Sequence, residues 1–208
     1  MLKKILLNLS VSVFAFAILS ISILQSTSIY YSFTAQISEP SVLGAEAPEI
    51  NYQMPYQGKV LPDNPLWVFK AARDKLWYLI TSSPLKKAEL ALLFSDKRLV
   101  SAQTLFEKKK PDIAISTLAK GEKYLEVAVA QEAIARSQGY DTSTFLERLA
   151  VASLKHRQMI MGLIPLVPDD GKPFVIKTED YSKNSYKAAK EALNSRGLPA
   201  PIDPFNGD

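Results

Sequence analysis

Few side chains in this sequence have the type and spacing for chemistry. His156 is the sole histidine, so a Ser-His-Asp hydrolase or a histidine-bearing metal site would have to be built around that one residue. It falls on the apolar stripe of a predicted helix, in step with Phe145, Leu149, Ala152, Met159 and Leu163. That placement favours a partly buried imidazole with a satisfied hydrogen bond over a catalytic base. Ser83-Pro84-Leu85-Lys86 matches the Ser-x-x-Lys pattern of penicillin-binding enzymes, in which a lysine helps to activate a serine nucleophile. Ser95-Asp96-Lys97 and Lys177-Thr178-Glu179 do not supply the Ser-Asp-Asn and Lys-Thr-Gly motifs that accompany it, and Ser83 is explained as a helix cap. Asp169-Asp170-Gly171 lacks the alternating oxygen ligands and closing glutamate of a calcium loop, and the glycines form no phosphate-binding pattern. No catalytic residue, metal ligand or cofactor-binding residue is assigned; the expectation is a protein that is not an enzyme and carries no cofactor.

Composition narrows the field further. With no cysteine, the chain has no disulfide, thiolate metal site, thiol nucleophile or lipid-modified cysteine of the bacterial lipoprotein kind. The net charge of +4 includes Lys3 and Lys4, so residues 36–208 hold 23 basic against 21 acidic side chains. A nucleic-acid partner calls for a basic excess along one face, which is absent. Apolar residues at 47% and charged residues at 22% suit a packed core.

The elements that would position these side chains begin with a membrane segment. After Lys3 and Lys4, Ile5 to Leu24 is a run of twenty uncharged, mostly apolar residues. As a helix it would rise about 30 Å, the thickness of a bilayer's hydrocarbon layer. The two lysines place the N-terminus in the cytoplasm and everything after the segment outside. The run exceeds the apolar region of a cleaved signal peptide, and neither Ser26-Thr27-Ser28 nor Ala45-Glu46-Ala47 makes a convincing cleavage site. A single-pass anchor over residues 1–35 is the expectation, with secretion after cleavage as the alternative.

Residues 36–63, rich in proline and polar side chains, read as a flexible linker. A helical bundle domain is expected over 64–164. Asn64-Pro65 opens a first helix whose Leu66, Phe69, Leu76, Leu79 and Ile80 share one side. Ser83-Pro84 opens a second, with Leu85, Ala88, Leu92, Leu99, Ala102 and Phe106 on a seam interrupted only by Ser95. Lys108 to Lys110 close it, their charges complementing the helix dipole. Pro111 opens a third, with Ala114, Leu118, Gly121, Leu125, Ala128 and Ala135 on one face, and Gly139 stops it. A fourth, carrying His156, starts within Asp141-Thr142-Ser143-Thr144 and ends at Pro165. Residues 165–196 read as a loop and a short accessory helix from about Tyr181 to Ser195, and 197–208 as a disordered tail. The fold class is all-α: an antiparallel bundle of about four long helices plus a short C-terminal helix, preceded by the N-terminal transmembrane or signal helix.

The stretch Leu61-Pro62-Asp63-Asn64-Pro65-Leu66-Trp67-Val68-Phe69-Lys70, followed by Lys87-Ala88-Glu89-Leu90 and Lys97-Arg98-Leu99, resembles an uncharacterised helical domain family of exported bacterial proteins. The likeness covers roughly residues 60–135. Asn64 and Trp67 stand where the family has serine and tyrosine, and Ser101 where an acid is common. The resemblance implies export and a helical fold and brings no active site. Trp67, Lys70, Lys87, Glu89 and Arg98 are its candidate interaction or structural signature, with a structural ion-pair role favoured. Trp67, Trp77, Tyr78 and Phe94 are weighed as a ligand groove against ordinary core packing.

Function is then expected to be that of a membrane-anchored extracytoplasmic module contacting an envelope protein or polymer, without a nucleic-acid partner. The alternative is a sensor or chaperone-like cradle for a peptide or small apolar ligand, suggested by the small residues of the third helix.

Overall fold

The computed structural model describes residues 49–205. The expected anchor over 1–35, the linker before Glu49 and the last three residues of the expected tail lie outside them. The described residues form five α-helices and no strand: α1 (Trp67–Ile80), α2 (Pro84–Glu107), α3 (Pro111–Ser137), α4 (Ser143–Leu163) and α5 (Lys172–Asn194), with a 3₁₀ turn at Ile164–Leu166. None of these helices is long and apolar enough to cross a membrane.

Local chemistry sets the helix boundaries. The Ser83 side chain accepts from the Lys86 N–H, and Pro84 fills the first turn of α2, where its missing N–H is not needed. Asn64 Oδ1 accepts from the Leu66 N–H ahead of α1, and Asp141 Oδ1 from the Ser143 N–H ahead of α4. At the end of α2, Lys109 takes a left-handed φ of +57° and the Lys110 N–H bonds the Leu105 carbonyl. Gly139, at φ +83°, turns the chain out of α3.

Helices consecutive in the chain run in opposite directions. Around the bundle, however, the order is α2, α3, α5, α4, so α3 and α4 stand diagonally across the interior. The side-by-side pair α2 and α4 is therefore parallel, as the pairs Glu89–Arg148 and Asp96–His156 record. The interior holds two apolar clusters. One gathers Ala88, Leu92, Leu125, Leu146, Leu149 and Leu193; the other gathers Leu99, Leu105, Leu118, Ile160, Leu163 and Val175. The expected seams of α2, α3 and α4 supply most of both.

Four expectations differ from the structure. The apolar side of α1 faces solvent: Phe69 is 71% exposed, and Leu66, Leu79 and Ile80 are also exposed, while the one buried residue of the helix is Asp74. Its aromatic side engages the bundle instead, where Trp77 meets Phe94 edge-to-face. The last helix is neither short nor accessory. It starts at Lys172, with Pro173 in its first turn, runs for 23 residues and inserts Val175, Tyr186, Ala189 and Leu193 into the core. Residues 49–63, read as linker, line α2: Ile50 and Leu61 are buried, Gln57 donates to Thr104 Oγ1, and Lys110 pairs with Asp63 at 2.7 Å. Residues 197–205, read as disordered, are pinned where Tyr186 donates to the Pro201 carbonyl at 2.6 Å and Arg157 bridges Glu179 and Asp203. In both stretches prolines break helical periodicity without preventing side-chain anchorage.

Inner and outer faces should answer differently to truncation. Leu125→Ala is expected to cost about 2–5 kcal/mol, as deletions from packed cores do. Leu79→Ala, on the outer side of α1, is expected to stay within about 0.5 kcal/mol. Urea unfolding followed by circular dichroism checks both, and equal losses would contradict the assignment of faces.

Candidate functional site

Where the two apolar clusters meet, three ionisable side chains from three helices converge. Asp96 of α2 lies between Leu92 and Leu99, Glu122 of α3 lies between Leu118 and Leu125, and His156 of α4 lies between Ala152 and Ile160. These are inward positions at three- and four-residue steps, so the helix geometry that builds the core also carries the charges into it. Glu122 and His156 are 0% exposed and Asp96 is 3% exposed. His156 Nδ1 lies 2.6 Å from Glu122 Oε1, and its Nε2 lies 2.9 Å from Asp96 Oδ1. The ring thus reaches a side neighbour, α2, and the diagonal helix, α3. From the N-terminal stretch, the Tyr52 hydroxyl donates to Asp96 Oδ2 at 2.8 Å.

A neutral imidazole has one donor and one acceptor, and an ionised carboxylate only accepts. With a carboxylate on each ring nitrogen, the arrangement is satisfied by an imidazolium that donates twice. Burial on its own pushes the His156 pKa down, but the Glu122 charge, the hydrogen bonds to Asp96 and Glu122, and the Asp96 charge outweigh it and hold it up at about 10. Burial, followed by the Asp96 charge, raises the Tyr52 phenol, which keeps it a donor. Glu122 Oε2 makes no hydrogen bond among the described residues, so His156 carries the compensation of that carboxylate. Both histidine contacts are direct hydrogen-bond distances that leave no room for a metal ion between the partners. Among the described residues no group of three or more His, Cys, Asp or Glu is placed to hold one. Since the imidazole is wholly buried, a substrate cannot touch it in this fold; what the centre can do is hold a proton and fix three helices.

Packing around the centre is close. Ser95 Oγ donates to the Gly121 carbonyl at 2.8 Å, and a Cβ on Gly121 would stand 3.0 Å from Arg98 Cβ. Glycine suits that position because α2 and α3 approach so closely that a larger residue would press on Arg98 and the Ser95 carbonyl. A second buried carboxylate, Glu132, accepts from Thr142 Oγ1 at 2.6 Å and from Arg136, tying the end of α3 to the start of α4.

The signature residues nominated from sequence do not gather into one site. Lys70 lies over the Trp67 ring at 4.7 Å and donates to the Gln57 and Val60 carbonyls, holding the N-terminal stretch against α1. Burial lowers its ammonium pKa to about 8, against the opposing pull of Asp74. Lys87 covers the Tyr78 ring, Glu89 pairs with Arg148 at 3.4 Å, and Arg98 lies 4.4 Å over Tyr124. Each joins two elements. Trp77, Phe94 and Tyr124 form an edge-to-face series from α1 through α2 to α3, which is packing. The sequence reading missed Asp96, Glu122 and Tyr52. Two signals were present: the α2 seam breaks at Ser95, beside Asp96, and Glu122 adjoins the small residue Gly121 on the α3 face.

The raised histidine pKa fixes the sign of a pH dependence. An unfolded histidine titrates near 6.5. The stabilisation from His156 is therefore complete below about 6.5, declines as pH rises, and is lost once pH passes through the folded value of about 10. His156→Leu should lose about 3–5 kcal/mol near neutrality because it strands two carboxylates. Urea midpoints measured from pH 6 to 10 are expected to fall more steeply in the wild type than in the triple variant Asp96→Asn, Glu122→Gln, His156→Leu, which is without the centre's charges. Lys70 works in the opposite sense, so the difference between the two proteins is the readout; parallel curves would contradict a charged His156.

No curated protein and no solved structure matches this chain. One family model does match, over residues 59–160, which hold α1, α2, α3 and most of α4. Asp96, Glu122 and His156 all lie inside that span, whereas Tyr52 and α5 lie outside it. The bundle built around the buried histidine is, over these residues, similar to the family described as Domain of unknown function (DUF5667).

Proposed function

We propose that the chain is a membrane-anchored helical module whose folded body lies outside the cytoplasm and makes protein or cell-envelope contacts. The observation that carries this reading is the outward apolar side of α1, where Val68, Phe69, Leu79 and Ile80 are each more than half exposed on one helix face. An apolar patch of that kind marks a surface that meets something other than water. The run Ile5 to Leu24 behind Lys3 and Lys4 supplies the anchor and its direction. A cradle for a peptide or small apolar ligand would need the α3 face to open. Its motive was the small-residue face of α3, where Ala114, Gly121, Ala128 and Ala135 are packed against their neighbours and Ser95 closes on the Gly121 carbonyl.

Because the chain has no cysteine, a single Glu191→Cys on the exposed side of α5 gives a clean topology probe. A membrane-impermeant maleimide is expected to label it in intact cells, and the protein should stay with membranes through an alkaline carbonate wash. Labelling only after lysis would overturn the orientation, and release into the medium would favour cleavage.

A further inference from the structure

We infer that the outer face of α1 lies on the surface of a bilayer that contains anionic lipid, so that the body is seated on the membrane to which the proposed anchor tethers it. This rests on the anchored reading and names the occupant of the open face.

The geometry of the helix comes first. At about 100° per residue, Val68, Leu79, Ala72, Leu76, Phe69 and Ile80 follow one another around a third of its circumference. Lys75 borders this arc on one edge, and Arg73, paired with Asp74, on the other. An apolar stripe between cations is the pattern of a helix that lies in the lipid–water interface. The opposite side is held to the bundle by Trp77 against Phe94, Lys87 over Tyr78, and Lys70 on two carbonyls, so Val68, Phe69, Ala72, Leu79 and Ile80 are fixed facing away from the protein, with Leu76 half-buried among them.

Charge selects a lipid surface over a second copy of the chain. Between Ile50 and Ala88 the basic residues are Lys59, Lys70, Arg73, Lys75, Lys86 and Lys87, against Asp63 and Asp74. Both acids are engaged, Asp63 by Lys110 and Asp74 by Arg73, each at 2.7 Å. The α1 end therefore presents net positive charge around its apolar arc. Two such surfaces repel each other, whereas anionic headgroups attract them.

Reach is sufficient. Twenty-four residues separate Leu24 from Glu49. A chain of that length spans at most about 80 Å and as a coil about 27 Å, so a body anchored through Ile5–Leu24 meets the bilayer at high effective concentration.

The test uses the full chain reconstituted into vesicles of phosphatidylcholine with phosphatidylglycerol. Single cysteines at Phe69, Ala72 and, as control, Glu191 carry a nitrobenzoxadiazole dye, and some of the lipid carries a doxyl spin label. The expected result is blue-shifted emission at positions 69 and 72 with loss of intensity to the spin label, and neither at 191. In a Val68→Glu, Leu79→Glu background, whose exposed sites leave the fold intact by circular dichroism, the dye at 72 should return to the emission of the control. Protein that floats with the vesicles while the dyes at 69 and 72 stay in water overturns this inference and leaves the anchor standing. Dyes shielded without spin-label quenching also overturn it, in favour of a protein occupant. Failure to float overturns both.

Discussion

An imidazolium held between two carboxylates in a buried interior is costly to assemble and costly to break. Each of the three groups forfeits hydration, and removing one strands the others with uncompensated charge. His156, Asp96 and Glu122 come from three helices, two of them diagonal to each other, so the contact forms only when those helices are at the right height and rotation together. A slip of α4 by one turn would move the ring by about 5.4 Å and leave both carboxylates alone. Greasy stripes tolerate such slips far better than a three-centre charge contact does, and this contact sets the register for the rest of the bundle.

The remainder of the architecture is arranged about that layer. Apolar clusters fill the bundle above and below it, Gly121 lets α2 and α3 close beside it, and Tyr52 brings the N-terminal stretch to Asp96. At the far side, Arg157, one residue on from the histidine, turns outward to Glu179 of α5 and to Asp203, and the Phe205 ring lies under its guanidinium. Adjacent residues of α4 thus fix the centre of the bundle and its C-terminal strap. With α2 to α5 satisfied among themselves, α1 is left to dock through aromatic and cationic contacts, and its apolar side is free to meet the surroundings.

Much of this was legible in the residues. Proline after a capping side chain marked the start of α2, and Pro111 and Gly139 bracketed α3. The spacing of Leu92, Leu99, Leu118, Leu125 and Leu149 identified buried faces correctly, because a stripe on a long helix has few places to go but inward. The same rule failed for α1, where the stripe is real but the interior is already full. Periodicity reports that a face is apolar and does not report what covers it. Asp96 and Glu122 were passed over because a charged residue beside a seam is ordinarily solvated, and their mutual partner is far away in sequence. Proline-rich stretches at both ends looked like spacers because their anchorage comes from isolated groups, the side chains of Tyr52, Asp63 and Asp203 and the Pro201 carbonyl, which leave no periodic trace.

The central claim is that His156 is a buried cation bonded to both carboxylates, and the sole histidine makes it directly observable. Nitrogen-15 NMR of imidazole-labelled protein should give one ring, with both nitrogens at protonated shifts and both N–H protons protected from exchange, unchanged from pH 6 to 9. A ring with one bare nitrogen at neutral pH, titrating near 6.5 like a free histidine, would contradict the account.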